Sequence, residues 1–118
     1  ILRGGKNTNY QSDHVANVSD ILGDNSLSKN IMIDASHANS QKNHSKRRLV
    51  VGDIADQITD GNKTICGVML ESNLIAGRQD IAKPNDLVYG QSITDACIGW
   101  DETEELIEIL NNSIEKKL

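Results

Sequence analysis

Phenylalanine is absent from this chain, and its aromatic side chains are confined to Tyr10, Tyr89 and Trp100. So sparse a set offers no platform on which nucleic-acid bases stack, and the longest basic cluster is only Lys46-Arg47-Arg48. Nucleic acid is therefore not an expected partner. Cysteine is nearly missing too: Cys66 and Cys97 are too few for a disulfide framework, which points to a reducing cytoplasm. No apolar run approaches the ~18 residues that cross a bilayer, so no membrane role is expected. The chain opens Ile1-Leu2-Arg3-Gly4, with no initiating methionine and no recognisable secretory leader. A piece of a longer polypeptide is the expectation.

What is present suits one globular domain. The 118 residues are 37% hydrophobic and 25% charged, a balance that folds rather than stays disordered. Charge is unevenly placed. Residues 1–50 hold seven Lys/Arg against four Asp/Glu, and residues 51–118 hold five against thirteen, for a total of −5. The positive first part leaves room for a small anionic ligand.

Three short apolar runs, Ile1-Leu2, Ile31-Met32-Ile33 and Ile65 to Leu70, read as parallel strands buried on both faces. Helical patterns separate them. Val15, Val18 and Leu22 share one face behind a Ser12 N-cap. Val50, Val51, Ile54, Ala55 and Ile58 form a stripe stopped by Gly61. Residues 76–99, with the only proline (Pro84), read as irregular. A last helix is expected from Asp101, with Glu104 completing a capping box. Leu106, Ile107, Leu110 and Ile114 form its stripe, and Lys116-Lys117 suit its C-terminal dipole. The strand starts lie 30 and 34 residues apart, as in βαβ units. Such an α/β order fits either a small open sheet or three units of a (β/α)8 barrel.

In both architectures functional side chains gather at the carboxyl ends of the strands. Here those ends carry Arg3, then Asp34, Ser36 and His37, then Glu71, and the following loop adds Asp95. One histidine and two carboxylates on one rim suit Mn, Fe, Co or Zn. Plainer roles exist for each: His37 capping its turn, Glu71 in a buried ion pair with Arg3 or Arg78, Asp95 in an Asx turn. Arg3 suits either a phosphate or a pair with Asp34. Gly4-Gly5 suits an anion's approach or a simple turn. His14 and His44 read as solvent-facing, Lys46-Arg47-Arg48 as a solvated helix start, Cys66 as a packed strand residue, and Trp100 as packing at the entry to the last helix.

Four strings narrow these alternatives: Ile1-Leu2-Arg3-Gly4-Gly5-Lys6, Met32 to Ser40 (MIDASHANS), Gly67 to Leu74 (GVMLESNL) and Tyr89 to Trp100 (YGQSITDACIGW). Together, and in this order, they resemble the C-terminal third of the class I 3-deoxy-7-phosphoheptulonate (DAHP) synthases, over essentially the whole chain. The resemblance implies a (β/α)8 TIM barrel, of which residues 1–118 would be the last three βα units of a single domain whose N-terminal part is missing. It implies a transferase that joins phosphoenolpyruvate to erythrose 4-phosphate, the first step of the shikimate pathway. It implies a divalent metal held by His37, Glu71, Asp95 and a cysteine from upstream, a role that passes to neither Cys66 nor Cys97. Arg3 matches the arginine that grips the phosphate of phosphoenolpyruvate. His37 and Asp95 are the implied catalytic residues, Asp95 also holding a sugar hydroxyl. A homodimeric or homotetrameric parent enzyme is implied, and the 118 residues alone are expected to be inactive and marginally folded. The other reading is a non-catalytic remnant that serves as an interaction piece.

Overall fold

The computed structural model describes residues 1–117, with the backbone alone at Lys117. Its sheet is parallel. Strand β1 (Ile31–Asp34) pairs with β2 (Ile65–Met69), Asp34 standing opposite Met69. On the other side of β1, Leu2 forms a parallel bridge to Ile33, its N–H donating to the Met32 carbonyl at 2.8 Å. The three expected parallel segments are thus present in the order Leu2, β1, β2, the first as a single bridge.

Helix α1 (Ser12–Asp24) joins the first segment to β1, and α2 (Arg47–Thr59) joins β1 to β2. Ser12 is not the N-cap of α1. It is the first helical residue, and Gln11 holds the cap position, its carbonyl accepting from Val15 N–H. The stripe of α2 is as expected, with Val50, Val51, Ile54, Ala55 and Ile58 all buried. The helix stops at Gly61 (φ +104°), where Gly61 N–H donates to the Ile58 carbonyl and Asn62 N–H to that of Gln57, a Schellman closure.

Residues 76–99 are more ordered than their composition suggests. Strand β3 (Ile75–Arg78) pairs in parallel with β4 (Gln91–Ser92), and Gly77 bridges Cys97 antiparallel. Gln79 and Gln91 make this possible, because their side chains bond to the backbones of Val88 and Ala76. Helix α3 (Trp100–Lys117) starts one residue before the expected cap, so Asp101 lies in its first turn, and Thr103 N–H donates to the Gly99 carbonyl. Trp100 does not pack inward; it is more than half exposed. The side chain of Lys117, assigned above to the helix dipole, lies outside the described residues.

The apolar face of α3 is also shifted. Leu106 and Ser113 are buried, with Ile109 and Leu110 between them, whereas Ile107 is 57% exposed and Ile114 also faces out. The positions i, i+3, i+4 and i+7 form the narrow stripe of a helix with one neighbour, and that neighbour is α2. Cys66 is exposed rather than packed, because among the described residues β2 pairs only with β1. The radius of gyration is 16.0 Å, against about 13.5 Å for a compact chain of this length. The chain is a slab of 54 × 30 × 19 Å.

Burial separates two isoleucines that look alike in sequence. Ile54→Ala empties a fully buried position between sheet and α3 and is expected to cost about 2–5 kcal/mol. Ile107→Ala on the exposed face is expected to stay within about 0.5 kcal/mol. Urea unfolding of both variants checks this, and equal losses would contradict the orientation of α3.

Candidate metal centre

Where β1 ends, the chain turns sharply and Asp34 organises the turn. Its buried carboxylate accepts from Ser36 N–H (2.8 Å) and His37 N–H (3.2 Å) through Oδ1. Its Oδ2 lies 2.7 Å from His37 Nδ1. Asp34, not His37, therefore caps this turn, and it does not pair with Arg3. A proton held on Nδ1 by Asp34 leaves the lone pair of Nε2 pointing away from the strand.

Two carboxylates meet that lone pair. Glu71 Oε1 is 3.1 Å from His37 Nε2 and Asp95 Oδ2 is 3.7 Å away. The three candidate ligand atoms lie within 4.8 Å of one another, the one such grouping among the described residues. Acceptor atoms so close repel unless a positive charge stands between them, and a divalent cation with mixed nitrogen and oxygen ligation satisfies all three. The donor set fits the expected metal. It opens into a cavity of about 220 Å³ that Lys42 and Arg78 also line.

The ion pair foreseen for Glu71 exists, but its partner is neither Arg3 nor Arg78. Arg78 bonds to the Thr94 carbonyl and Asp80. The partner is Arg47, whose Nη2 is 3.1 Å from Glu71 Oε2. Arg47 is only 1% exposed, which corrects the reading of Lys46-Arg47-Arg48 as solvated. Its neighbours do face solvent, Lys46 bonding to Gln41 and Arg48 to Glu105. Placement on the inward stripe of α2, three residues before Val50, was the available signal.

Arg3 stands on the same rim with its side chain exposed. Among the described residues no hydrogen bond or ion pair joins that side chain to the cluster. Its carbonyl accepts from Asn39 N–H, and the following residues Gly5 and Lys6 line a wider polar cleft of about 420 Å³ that shares Lys42. Gly4 answers the question posed by the Gly-Gly pair. Its φ is +75°, and a Cβ there would come within 2.8 Å of Asn39 Oδ1. Asp95 is 61% exposed, and no Asx bond of its side chain occurs among the described residues. Cys97 points its thiol at the Asp95 carbonyl, and Cys66 lies on β2 away from the cluster. His14 is exposed as expected, while His44 is half-buried in a short 3-10 turn.

Residues 1–108 match the DAHP synthetase I family. The chain belongs to that family. It is 47% identical over 117 residues to the Phe-sensitive phospho-2-dehydro-3-deoxyheptonate aldolase of Escherichia coli (strain K12), covering 99% of this chain and 33% of that enzyme. It is 46% identical to the phenylalanine-inhibited enzyme of Saccharomyces cerevisiae, again covering 99% of this chain and 34% of the other. The solved structure of the aldolase from Francisella tularensis SCHU S4 superposes with a TM-score of 0.93 at 43% identity, over 98% of this chain and 34% of that one. The chain thus spans about a third of the length of these DAHP synthase relatives.

Asp34→Asn keeps an acceptor for the two turn N–H groups, but its amide NH2 cannot accept the hydrogen bond from His37 Nδ1–H. His37 is expected to move its proton to Nε2, and Mn2+ affinity to fall by about 10–100-fold. Long-range 1H–15N correlation of the ring nitrogens and calorimetric titration with Mn2+ check the two halves, and an unchanged tautomer would contradict the role given to Asp34.

Proposed function

We propose that residues 1–118 are the C-terminal, metal-bearing part of a DAHP synthase barrel, the last three βα units of a single (β/α)8 domain. The convergence of His37 Nε2, Glu71 Oε1 and Asp95 Oδ2 at the strand ends carries the reading, together with membership of the family. The edge of β2 left unpaired among the described residues is consistent with it, since a closed barrel leaves no strand edge open.

On this reading the parent enzyme condenses phosphoenolpyruvate with erythrose 4-phosphate. A bond forms between C3 of the enolpyruvyl group and the aldehyde carbon, water adds at C2, and the C2–O bond to phosphate breaks to release inorganic phosphate. A divalent metal (Mn, Fe, Co or Zn) held by His37, Glu71, Asp95 and an upstream cysteine would supply Lewis acidity where negative charge develops on the aldehyde oxygen. Arg3 grips the phosphate of phosphoenolpyruvate, a planar guanidinium being suited to two phosphate oxygens at once. Asp95, exposed at the open side of the cluster, holds a hydroxyl of the four-carbon sugar on this reading. His37 and Asp95 are the catalytic residues of this chain, and Asp34 keeps the His37 ring fixed. The native enzyme is a cytoplasmic homodimer or homotetramer.

Release of inorganic phosphate from phosphoenolpyruvate in the presence of erythrose 4-phosphate, assayed on the native polypeptide with and without chelator, tests the reading. His37→Ala is expected to lower turnover by at least about 100-fold, and turnover untouched by both chelator and His37→Ala would overturn the metal assignment. The 118 residues alone lack the upstream cysteine and are expected to form no product with Mn2+ and both substrates. Measurable product from them would overturn the partial-barrel reading.

A further inference from the structure

We infer that Arg47 is the positioning residue of the metal centre, spacing all three ligand-bearing segments with one guanidinium. The inference rests on the metal reading above. Nη1 donates to the Glu71 carbonyl at 2.6 Å. Nη2 donates to Glu71 Oε2 (3.1 Å), to the Ala96 carbonyl (2.7 Å) and to the Ser36 carbonyl (3.3 Å). Each contact lies at or beside a ligand: Ser36 precedes His37, Glu71 is itself one, and Ala96 follows Asp95.

A buried cation demands partners, and this one takes them selectively. Nε, equally buried, has none among the described residues. The guanidinium therefore sits where the three strand-end segments are best served, at the expense of its own remaining donor. Glu71 is constrained in consequence. With Oε2 engaged by Arg47, only Oε1 faces His37 Nε2, so Glu71 would offer a metal one oxygen. The loop carrying Asp95 has a second tie to the cluster through the Ala96 carbonyl, which offsets the exposure of Asp95 itself. A lysine would carry the charge but not the planar fork that reaches three segments at once.

Arg47→Met and Arg47→Lys in the native polypeptide separate positioning from plain stability. Calorimetric Mn2+ titration well below the melting temperature is expected to show at least about tenfold weaker binding for Arg47→Met and a smaller loss for Arg47→Lys. The visible spectrum of the Co2+-loaded protein is expected to lose intensity in Arg47→Met, because a freed Oε2 lets Glu71 bind through both oxygens and raises the coordination number. A lowered melting temperature with unchanged Mn2+ affinity and Co2+ spectrum would overturn the inference and leave the metal reading standing. Wild-type protein that takes up no Mn2+ would overturn both. Should Arg47→Met fail to fold, Arg47→Lys carries the test, and wild-type Mn2+ affinity in it is the overturning result.

Discussion

The parallel register of β1 on β2 is the constraint from which the site follows. Asp34 stands opposite Met69, and Ala35 N–H donates to the Met69 carbonyl. Beyond that point the backbone ladder ends, and a side chain takes over: Ser36 Oγ accepts Glu71 N–H at 2.7 Å. His37 and Glu71 consequently leave the sheet side by side and on one face. A slip of one residue would turn one of them to the opposite face, since side chains alternate with period two. Asn39 repeats the device on the other edge of β1. Its amide donates to the Leu2 and Asp34 carbonyls while its Oδ1 accepts Asn9 N–H, so the Arg3 segment is held at the same rim.

The buried polar groups divide into those that are satisfied and those that are left with charge to spare. Asp34 accepts three hydrogen bonds and needs nothing more. Arg47 donates four. Asp34, Glu71 and Asp95 outnumber the one guanidinium bonded among them, while Lys42 and Arg78 line the same cavity without an ion pair to these carboxylates among the described residues. Partial burial of His37 and Glu71 raises the cost of holding these acceptor atoms together without a counter-ion. A divalent cation there would lower that cost, and the geometry that would receive one is held by bonds outside the candidate ligand atoms themselves.

Periodicity exposed the skeleton of this arrangement. The stripe of α2, its stop at Gly61 and the three parallel segments were legible from spacing, though spacing did not separate an open sheet from a barrel, and the strand-end rule brought His37, Glu71 and Asp95 onto one rim. Other features depended on tertiary contacts that no local pattern encodes. Arg47 reads as solvated because it stands between Lys46 and Arg48, yet its helical position turns it inward. Cys66 lies in an apolar run, but its exposure depends on which strands are beside β2. Ile107 and Leu106 are adjacent and equally apolar, and only the single-sided packing of α3 tells them apart. The β3–β4 pair was hidden because glutamine side chains, not an alternating pattern, complete its hydrogen bonding. Asp34 is apparent only once the turn after β1 is seen to close on it.

The division between what this chain builds and what it lacks is itself informative about how such a site is assembled. All the bonds that orient His37, Glu71 and Asp95 come from residues 34–97, in two strands, one helix and one loop. Asn39 holds the Arg3 backbone, but among the described residues no hydrogen bond or ion pair fixes the Arg3 side chain, which is exposed on the rim. Metal geometry requires placement within a few tenths of an ångström and is best secured by short-range bonds at the ends of rigid strands. Gripping a phosphate tolerates longer, flexible cations that converge from several elements. A chain spanning a third of its relatives' length can therefore hold the candidate metal cluster preformed. The candidate ligand cluster, tied together by Asp34, Ser36 and Arg47, is thus the part of the fold least able to change piecemeal.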